Sequence, residues 1–361
     1  MIKNIAIKKL LMNTVFKGFS WVNRLVPKKE EKILLYANEG FRDNTKYLFD
    51  YLIEQGYNQK YEIVCAASDY KKYNGTFYEN VRFTSTVRGI FEYLSSGHIY
   101  YSFGRIPIVP ARNQITIQMW HGTSFKGFDK STQKTNSKKQ QFYTYVFASS
   151  EFFKPIVEKK FACNPENVYV CGHPRTDLLF RDDIKYNLGK FEKIIIWLPT
   201  FRKSKELGYT DVETDCIVPF YKADELNGLN DYLKNRNVKL IIKLHPLQDI
   251  DGIDLEQLSN VQLLTHSQFV KNGYDLYVLL RQTDALITDY SSVFYDYLLL
   301  DRPIGFTEDD VDQYESNRGF AVDNPNEFKP GMRIKSKDEL IFFINSVAEE
   351  RDSFRNKRKE I

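Results

Sequence analysis

The chain has 361 residues, of which 42% are hydrophobic and 27% charged, and its formal net charge at pH 7 is +4. This globular balance argues against a disordered chain, the length predicts two domains, and the charge is too small to indicate a nucleic-acid-binding protein. The four cysteines are scattered, with no C-x-x-C pair and no zinc-ligand spacing, so we expect a reducing, cytosolic setting.

The first 29 residues are basic and amphipathic. No acidic residue precedes Glu30, and apolar residues recur at helical spacing from Ile5 to Val22. Lysines interrupt any run long enough to span a bilayer, and the stretch lacks the small-residue cleavage site of a signal peptide. Residues 1–29 therefore predict a helix lying on an anionic membrane surface, or alternatively a helix docked on the protein's own core.

A first series of strands and helices follows. The predicted strands are residues 32–36, 61–66, 98–102, 114–119, 145–148 and 167–171, and the predicted helices are residues 44–55, 87–95 and 151–161. Residues 125–139, rich in Lys, Ser, Thr and Gly, predict a mobile basic loop. Strands that alternate with helices predict a parallel sheet.

A second series begins near residue 193. Its predicted strands are residues 194–198, 238–243, 261–264, 285–288 and 303–306, and its predicted helices are residues 224–235, 276–281, 293–300 and 338–349. Residues 203–216 predict a polar loop. We place the seam between the series at about residues 181–191, which gives an N-terminal domain at 30–185 and a C-terminal domain at 186–361. Two parallel-sheet domains are expected to face each other across a cleft.

Four short polar motifs each follow directly on a predicted strand. They are Trp120-His121-Gly122-Thr123, Pro199-Thr200, His245-Pro246 and Ser291-Ser292. Parallel strands present their carboxyl ends at one edge of a sheet, and ligands of open α/β sheets bind at that edge. We therefore expect all four motifs to converge on one crevice.

Two histidines in these motifs are candidates for chemistry. His121 predicts a general base, because an imidazole with a near-neutral pKa can take a proton from a hydroxyl. The alternative is a structural histidine bonded to a nearby carbonyl, and Gly122 would permit close approach of a ligand. Lys243 and His245 suit a phosphate oxygen or a leaving group, the alternative being a surface lysine and a capping histidine.

Other polar residues could bind a phosphate or have only a structural role. Arg175, in G-H-P-R-T-D, could pair with a phosphate or with Asp177. Ser291 and Ser292 precede a predicted helix, which they either cap or extend into a phosphate cradle of free N–H groups. The acidic run at 309–312 is more typical of a helix start or a solvated turn than of a metal site, so we assign no metal and no cofactor.

As a set, these segments resemble the CDP-glycerol glycerophosphotransferases, which build teichoic acids and related glycerol- or ribitol-phosphate polymers in Gram-positive bacteria. The matching segments are W-H-G-T, G-H-P-R-T-D, L-P-T-F-R, K-L-H-P and I-T-D-Y-S-S-V-F-Y-D-Y, with R-P-I-G-F and R-G-F behind it, in the family's order from Trp120 to Phe320. Ser124 and Phe125 depart from the family, whose members often carry Pro and Leu there.

The resemblance implies a glycosyltransferase-B-like fold of two Rossmann-like domains, in which the N-terminal domain receives the acceptor and the C-terminal domain binds CDP-glycerol. The family's donor-binding positions fall on His121, Gly122, Thr123, Arg175, Pro199, Thr200, Lys243, Leu244, His245, Ser291, Ser292 and Asp296. The resemblance also implies that His121 deprotonates the acceptor hydroxyl and that His245 acts on the leaving side as CMP departs. Asp296 would reach the ligand's hydroxyls or orient the site, the alternative being an acid on the helix surface.

The resulting hypothesis is transfer of glycerol phosphate from CDP-glycerol to a lipid-linked acceptor by a peripheral protein at the cytoplasmic face of the cell membrane. The short N-terminal region favours a compact, primase-like, short-chain or capsule-type enzyme. The alternatives are CDP-ribitol as the donor, a nucleotide-sugar glycosyltransferase of the same fold, and a non-catalytic module docked on the membrane. A nucleotide-sugar enzyme would release a nucleoside diphosphate rather than CMP. No nucleic-acid partner is expected.

Overall fold

The computed structural model describes residues 14–123, 142–200, 203–204, 209–210, 216–245, 258–309, 311, 320–322 and 324–361. The predicted basic loop at 125–139 and residue Pro246 lie outside the described residues, as do residues 1–13. The described chain forms two compact units that divide between Arg175 and Thr176.

The first unit is built on a seven-stranded parallel sheet in the order β3-β2-β1-β4-β5-β6-β7. The strands are β1 (Lys29–Ala37), β2 (Glu62–Ala67), β3 (Val81–Ser85), β4 (Ser96–Tyr101), β5 (Ile115–Gln118), β6 (Tyr145–Ala148) and β7 (Val168–Val170). The α-helices are Val15–Leu25, Asp43–Glu54, Thr86–Ser95 and Lys154–Phe161, with 3-10 turns at Tyr57–Gln59, Tyr70–Tyr73 and Pro165–Asn167.

The central strand β1 is buried on both faces. Leu34 belongs to a cluster with Tyr93 on one face, whereas Leu35 belongs to a cluster with Phe49 on the other. Successive side chains of a strand point to opposite faces, so both faces of this strand must be apolar where helices cover both sides of the sheet. This explains why β1 has a continuous apolar run rather than an alternating one.

The N-terminal helix Val15–Leu25 is docked on this unit. Phe16 and Phe19 pack against the core cluster. Asn23 is fully buried, and its Nδ2 donates to the side-chain oxygen of Gln114 at 2.6 Å. The alternative of a helix docked on the protein's own core therefore describes this stretch.

A single basic helix over residues 1–29 is not confirmed. The helix ends at Leu25, because Val26 is extended and precedes Pro27, and the strand β1 begins at Lys29. Its outer face leaves Trp21 and Leu25 exposed. Within the described ranges, we find no helix whose length and hydrophobicity would let it cross a membrane.

The second unit is built on a six-stranded parallel sheet in the order β12-β11-β8-β13-β14-β15. The strands are β8 (Lys193–Leu198), β11 (Val238–Lys243), β12 (Val261–Leu264), β13 (Ala285–Thr288), β14 (Ile304–Thr307) and β15 (Met332–Ile334), with a separate antiparallel pair β9 (Lys203–Ser204) and β10 (Tyr209–Thr210). The α-helices are Leu226–Lys234, His266–Lys271, Leu276–Arg281, Val293–Tyr297, Lys337–Ala348 and Arg355–Glu360, with 3-10 turns at Leu298–Leu300 and Pro325–Phe328. A further 3-10 turn, Pro174–Phe180, contains the point at which the two units divide.

One predicted helix and one predicted loop of this unit differ from the structure. The helix predicted to reach residue 300 is α-helical only over Val293–Tyr297 and tightens into a 3-10 turn, after which Asp301 adopts a left-handed φ of +47°. Pro303 follows and cannot continue a helix. The region predicted as a polar loop contains β9 and β10, which are only two residues long and carry no apolar run.

The predicted class, an α/β fold with two parallel-sheet domains, is confirmed. In each sheet the chain starts in the middle, builds outward on one side, and then returns to build the other side. The strand order therefore reverses between β1 and β4 in the first sheet and between β8 and β13 in the second. Ligands of open α/β sheets bind at such switch points, outside the carboxyl ends of the strands.

Candidate active site

The candidate residues of the first unit lie in a turn at the carboxyl end of β5. The backbone φ is +62° at Trp120 and +145° at Gly122. Positive φ values are uncommon for residues with a side chain and natural for glycine, which explains the glycine in this motif. Between them, His121 meets Ser102, the residue that follows β4 at the switch point.

One hydrogen bond and two aromatic rings orient the imidazole of His121. Its Nδ1 lies 3.4 Å from the carbonyl oxygen of Ser102. A carbonyl oxygen only accepts, so this bond requires the hydrogen on Nδ1 and leaves the lone pair of Nε2 to accept a proton. Phe103 stacks on the imidazole with 4.8 Å between ring centroids, and the Trp120 ring lies 3.8 Å away. The two alternatives drawn from the sequence therefore coincide, because the bond from Nδ1 to a carbonyl is what leaves Nε2 available as a base.

The pKa of His121 corrects the near-neutral value expected from the sequence. Burial lowers it to about 4, and the nearby carboxylate of Asp43 raises it by a smaller amount. Removing an imidazolium from water disfavours the charged form, and the sequence does not show that this side chain is desolvated. His121 is therefore neutral near pH 7 and has a proton-accepting nitrogen there.

Arg175 is buried behind the His121 turn. Its Nη1 donates to both carboxylate oxygens of Asp43, at 3.0 and 3.2 Å, and to the backbone carbonyl of His121 at 2.7 Å. The carboxylate that pairs with Arg175 thus belongs to a residue near the start of the chain, whereas the sequence suggested Asp177. The contact of Arg175 with a phosphate stays a prediction.

Asn44 ties the same turn to the beginning of the helix Asp43–Glu54. Its Nδ2 donates to the carbonyl of Trp120 at 2.7 Å, and its Oδ1 accepts from the backbone N–H of Arg175 at 3.1 Å. Asn44 and Ser102 are both fully buried. None of Asp43, Asn44 and Ser102 is among the residues predicted from the sequence. The available signal was their position after β1 and β4, the two strands that flank the switch point.

The last residue of the motif has a structural contact. Thr123 is buried, and its hydroxyl donates to Oγ of Ser149 at 3.0 Å. This bond joins the turn after β5 to the residue that follows β6. The binding of a donor by Gly122 and Thr123 stays a prediction.

The candidate residues of the second unit are organised by a buried carboxylate at the switch point of its sheet. Oδ2 of Asp289 accepts from both the backbone N–H and the hydroxyl of Thr200, at 2.6 and 2.8 Å, and its Oδ1 accepts from the N–H of Tyr290 at 2.5 Å. Asp289 thereby joins the turn after β8 to the turn after β13. It stands in the D-Y-S-S segment, for which the sequence left open a helix cap or a phosphate cradle.

The turn after β13 carries both predicted serines. Ser291 and Ser292 are partly exposed, and the helix that follows them begins at Val293. Ser292 makes no side-chain capping bond, and Oγ of Ser291 lies 3.5 Å from the Val293 nitrogen, at the limit of a hydrogen bond. The simple capping alternative therefore accounts poorly for the two hydroxyls.

The buried side chain of Lys329 packs against Tyr290 of this turn. The ammonium of Lys329 bonds Oε1 of Glu308 at 2.8 Å and lies 5.3 Å from the ring centroid of Tyr290 and 5.2 Å from that of Phe320. Burial lowers the pKa of Lys329, and its bond with Glu308 acts in the opposite direction. Tyr290 and Phe320, which belong to the D-Y-S-S and R-G-F motifs, thus face one charge-paired lysine.

The third strand-end motif follows β11, which is separated from β13 by the strand β8 that pairs with both. Leu244 is buried in the core, and its N–H donates to the carbonyl of Leu264, so its contact with a donor stays a prediction. Lys243 and His245 flank it, and the Nζ of Lys243 lies 5.0 Å from the ring centroid of Phe269. Pro199, at the end of β8, is buried. All these motifs occupy the carboxyl edge of one sheet.

Asp296 does not lie on the surface of its helix. It is buried, and its Oδ2 accepts from the hydroxyl of Tyr277 at 2.6 Å. Tyr277 comes from the helix Leu276–Arg281, so this bond connects that helix to the one that follows the serine turn. An orienting role fits this position, and a direct contact with ligand hydroxyls stays a prediction.

Comparison with known proteins identifies relatives of the whole chain. The profile of the CDP-glycerol:poly(glycerophosphate) glycerophosphotransferase family matches residues 19–361. The teichoic acid poly(ribitol-phosphate) polymerase of Bacillus spizizenii is 30% identical over 97% of this chain and 57% of that protein. The teichoic acid glycerol-phosphate transferase of Staphylococcus aureus is 26% identical over 97% of this chain and 91% of that protein. The chain spans 57% to 64% of the ribitol-phosphate polymerases that it matches.

Solved structures agree with the fold. The wall teichoic acid polymerase TagF superimposes with a TM-score of 0.73, covering 98% of this chain and 89% of that one, at 20% sequence identity. At this identity the likeness supports the fold alone.

Proposed function

The chain belongs to the CDP-glycerol:poly(glycerophosphate) glycerophosphotransferase family, and on this premise we propose that it transfers an alditol phosphate from CDP-glycerol or CDP-ribitol to a hydroxyl of a lipid-linked acceptor, releasing CMP. The family match confirms the resemblance drawn from the motifs. The product would be a teichoic acid or a related wall or capsular polymer. The observation that carries the proposal is the neutral His121, whose Nδ1 meets a carbonyl while its Nε2 keeps a free lone pair.

In the proposed reaction His121 is the general base. Nε2 takes the proton of the acceptor hydroxyl as the oxygen attacks the phosphorus attached to the alditol. The bond from that phosphorus to the bridging oxygen breaks, and the electron pair leaves with CMP. A bound diphosphate would add negative charge near the imidazole and raise its pKa above the value of about 4 in the free protein.

The second sheet would hold the donor. Lys243 and His245 at the end of β11, and Ser291 and Ser292 after β13, lie on either side of β8 and would offer cationic groups and hydroxyls to the diphosphate. Charge builds up on the departing phosphate, so donors fixed before the reaction stabilise the transition state more than the ground state. In this proposal the acceptor binds to the N-terminal domain and CDP-glycerol binds to the C-terminal domain.

An assay for CMP tests this function. The purified protein is incubated with CDP-glycerol, with CDP-ribitol or with UDP-N-acetylglucosamine, each with a lipid-linked disaccharide acceptor. We expect CMP from one of the two CDP-alditols and no UDP from the nucleotide sugar. Release of UDP would contradict the proposal in favour of a glycosyltransferase, and failure of both CDP-alditols to bind or react would reject it outright.

We also propose that the protein works at the cytoplasmic face of the cell membrane, as a peripheral protein bound through the region 1–29. Supporting this is the outer face of the helix Val15–Leu25, where Trp21 and Leu25 are 64% and 63% exposed beside the basic Arg24. An apolar face next to cationic side chains suits an anionic lipid surface. The inner face is occupied by core contacts, so the helix can stay docked while it binds lipid.

Sedimentation with phosphatidylglycerol vesicles tests the membrane proposal. We expect the double variant Trp21→Ser/Leu25→Ser to bind at least about tenfold more weakly, because each exposed apolar side chain contributes on the order of 1.5–3 kcal/mol when fully buried. Phe77→Ser is the matched control, since Phe77 is 93% exposed elsewhere in the same unit. Equal binding of the double variant and the parent would contradict a role for this face.

A further inference from the structure

One acidic residue near the start of the chain contacts the catalytic turn without being part of any motif. Asp43 is the first residue of the helix Asp43–Glu54, and its φ is +57°. A positive φ is uncommon for a residue with a side chain. Two groups hold the carboxylate in this conformation: Oδ1 accepts from the N–H of Asn44 at 2.7 Å, and both oxygens accept from Arg175.

The pair of Asp43 and Arg175 lies away from water. The side chains are 18% and 5% exposed, respectively. Two other carboxylates near it, Glu39 and Asp50, pair with neighbouring cations on the surface instead, and their side chains are 41% and 42% exposed. Surface pairs of that kind are worth little, whereas a desolvated pair is screened weakly and acts on its surroundings.

Arg175 connects Asp43 to His121. The same Nη1 that meets Asp43 also donates to the backbone carbonyl of His121 at 2.7 Å. Asn44, adjacent to Asp43, holds the carbonyl of Trp120. The carbonyl of Trp120 is therefore held by Asn44, in the first turn of this helix. The carbonyl of His121 is held by Arg175, which is itself bonded to Asp43.

The charged groups near His121 act on its pKa in opposite directions. Asp43 favours the protonated imidazole, whereas Arg175 and the ammonium of Lys160 disfavour it, and the carbonyl of Ser102 accepts from the ring. Phe103 and Trp120 flank the ring with uncharged surface. Among the groups of the described residues that are known to act on this imidazole, Asp43 is the anion.

We propose that Asp43 is a positioning residue of the transfer reaction: it holds Arg175 against the carbonyl of His121, and its negative charge stabilises the imidazolium that forms when His121 takes the proton. The inference rests on the proposed function. It assigns to Asp43 the part that a carboxylate plays in orienting a catalytic histidine, here acting through an arginine and the backbone rather than through the ring nitrogen.

The first measurement is kinetic and uses Asp43→Asn. We expect kcat to fall about tenfold or more while the KM for the CDP-alditol changes little, because the lost interaction grows as the imidazolium forms. In the donor complex the acid limb of the kcat profile should move to lower pH, since removal of a nearby anion lowers the pKa of a histidine. Asp50→Asn, on the same helix and paired at the surface with Lys46, is the control and should match the parent.

The second measurement does not depend on turnover. The imidazole of His121 is followed by NMR at a pH where the parent protein is half protonated, its signal being assigned by its loss in His121→Gln. In Asp43→Asn the signal should lie at the neutral position. In the double variant Asp43→Asn/Arg175→Gln the signal should return most of the way to its position in the parent protein, because an anion and a cation are removed together.

These measurements separate the two proposals. Absence of CMP release by the parent, together with the expected NMR shifts, would reject the proposed function and keep the charge coupling of Asp43. Normal CMP release with unchanged kcat, pH profile and NMR signal in Asp43→Asn would overturn the inference. A lower melting temperature with the same pH limb and the same NMR signal would also overturn it, because Asp43 would then support only the fold.

Discussion

His121→Ala should lower kcat by roughly 10²- to 10⁴-fold and leave the dissociation constant of the CDP-alditol within a few-fold of the parent. The size of the effect is that of a general base removed from its reaction. Donor affinity should persist because Lys243, His245 and the serine turn belong to the second sheet, and the variant leaves them unchanged. Quenched-flow measurement of CMP and calorimetric titration of the donor give the two quantities.

The design needs a control for the loss of a buried ring. His121 stacks between Phe103 and Trp120, so truncation leaves a cavity, and the melting temperature of the variant has to be measured beside its activity. His266→Ala removes an exposed histidine of the second unit and should leave kcat and melting temperature as in the parent. Turnover equal to the parent in His121→Ala would remove this residue from the mechanism.

Asp289→Asn should weaken binding of the CDP-alditol by roughly ten- to a hundredfold. Asp289 accepts three hydrogen bonds in a buried position, and an amide in its place points a donor at one of the three N–H or O–H groups. A buried donor left without an acceptor costs about 1–3 kcal/mol, and about 1.4 kcal/mol corresponds to a tenfold change in affinity. The turns after β8 and β13 should then lose their fixed geometry.

The charge of Asp289 makes the direction of the affinity change informative. The carboxylate of Asp289 would repel a diphosphate, so removing its charge should by itself improve donor binding. A fall in affinity therefore has to come from the lost geometry of Thr200 and the serine turn. Unchanged or tighter binding in Asp289→Asn, measured by calorimetric titration, would show that the carboxylate does not organise the donor site.

The chain offers a matched control at the other end of the same two strands. Oδ2 of Asp284 accepts from the N–H of Ile194 at 2.7 Å, joining β13 to β8 at their amino ends. Asp284→Asn should lower the melting temperature in a similar way to Asp289→Asn, because both variants weaken a bond from a carboxylate to the backbone. Donor affinity should fall only for the variant at the carboxyl edge.

Much of the fold could be predicted from local patterns. The bounds of β6, β11, β12 and β13 agree with those predicted. In β13 all four residues are buried, as expected for a parallel strand that is covered on both faces. The edge strand β3 was not predicted. Thr84 is its one buried residue and Arg82 is exposed, so it has no buried apolar run. The same holds for the three-residue strand β15 at the other sheet's edge.

Less of the candidate site could be predicted. The chain order shows that His121, Thr200, His245 and Ser291 follow strands, and the structure puts each of them at a carboxyl edge. The residues that hold them in place were not predicted. Arg175 bonds a carboxylate 132 positions earlier, and Thr200 bonds one 89 positions later, and no local pattern links such pairs.

The sequence by itself therefore determined most of the interior strands, the polar residues that follow them, and the family to which the chain belongs. Those properties follow from side-chain periodicity and from motifs, which are local. Only the tertiary structure decided that Asp43 and Asp289 organise the two turns and that His121 has a pKa of about 4. Pairing and desolvation depend on which distant segments pack together, and the strand order of each sheet sets that.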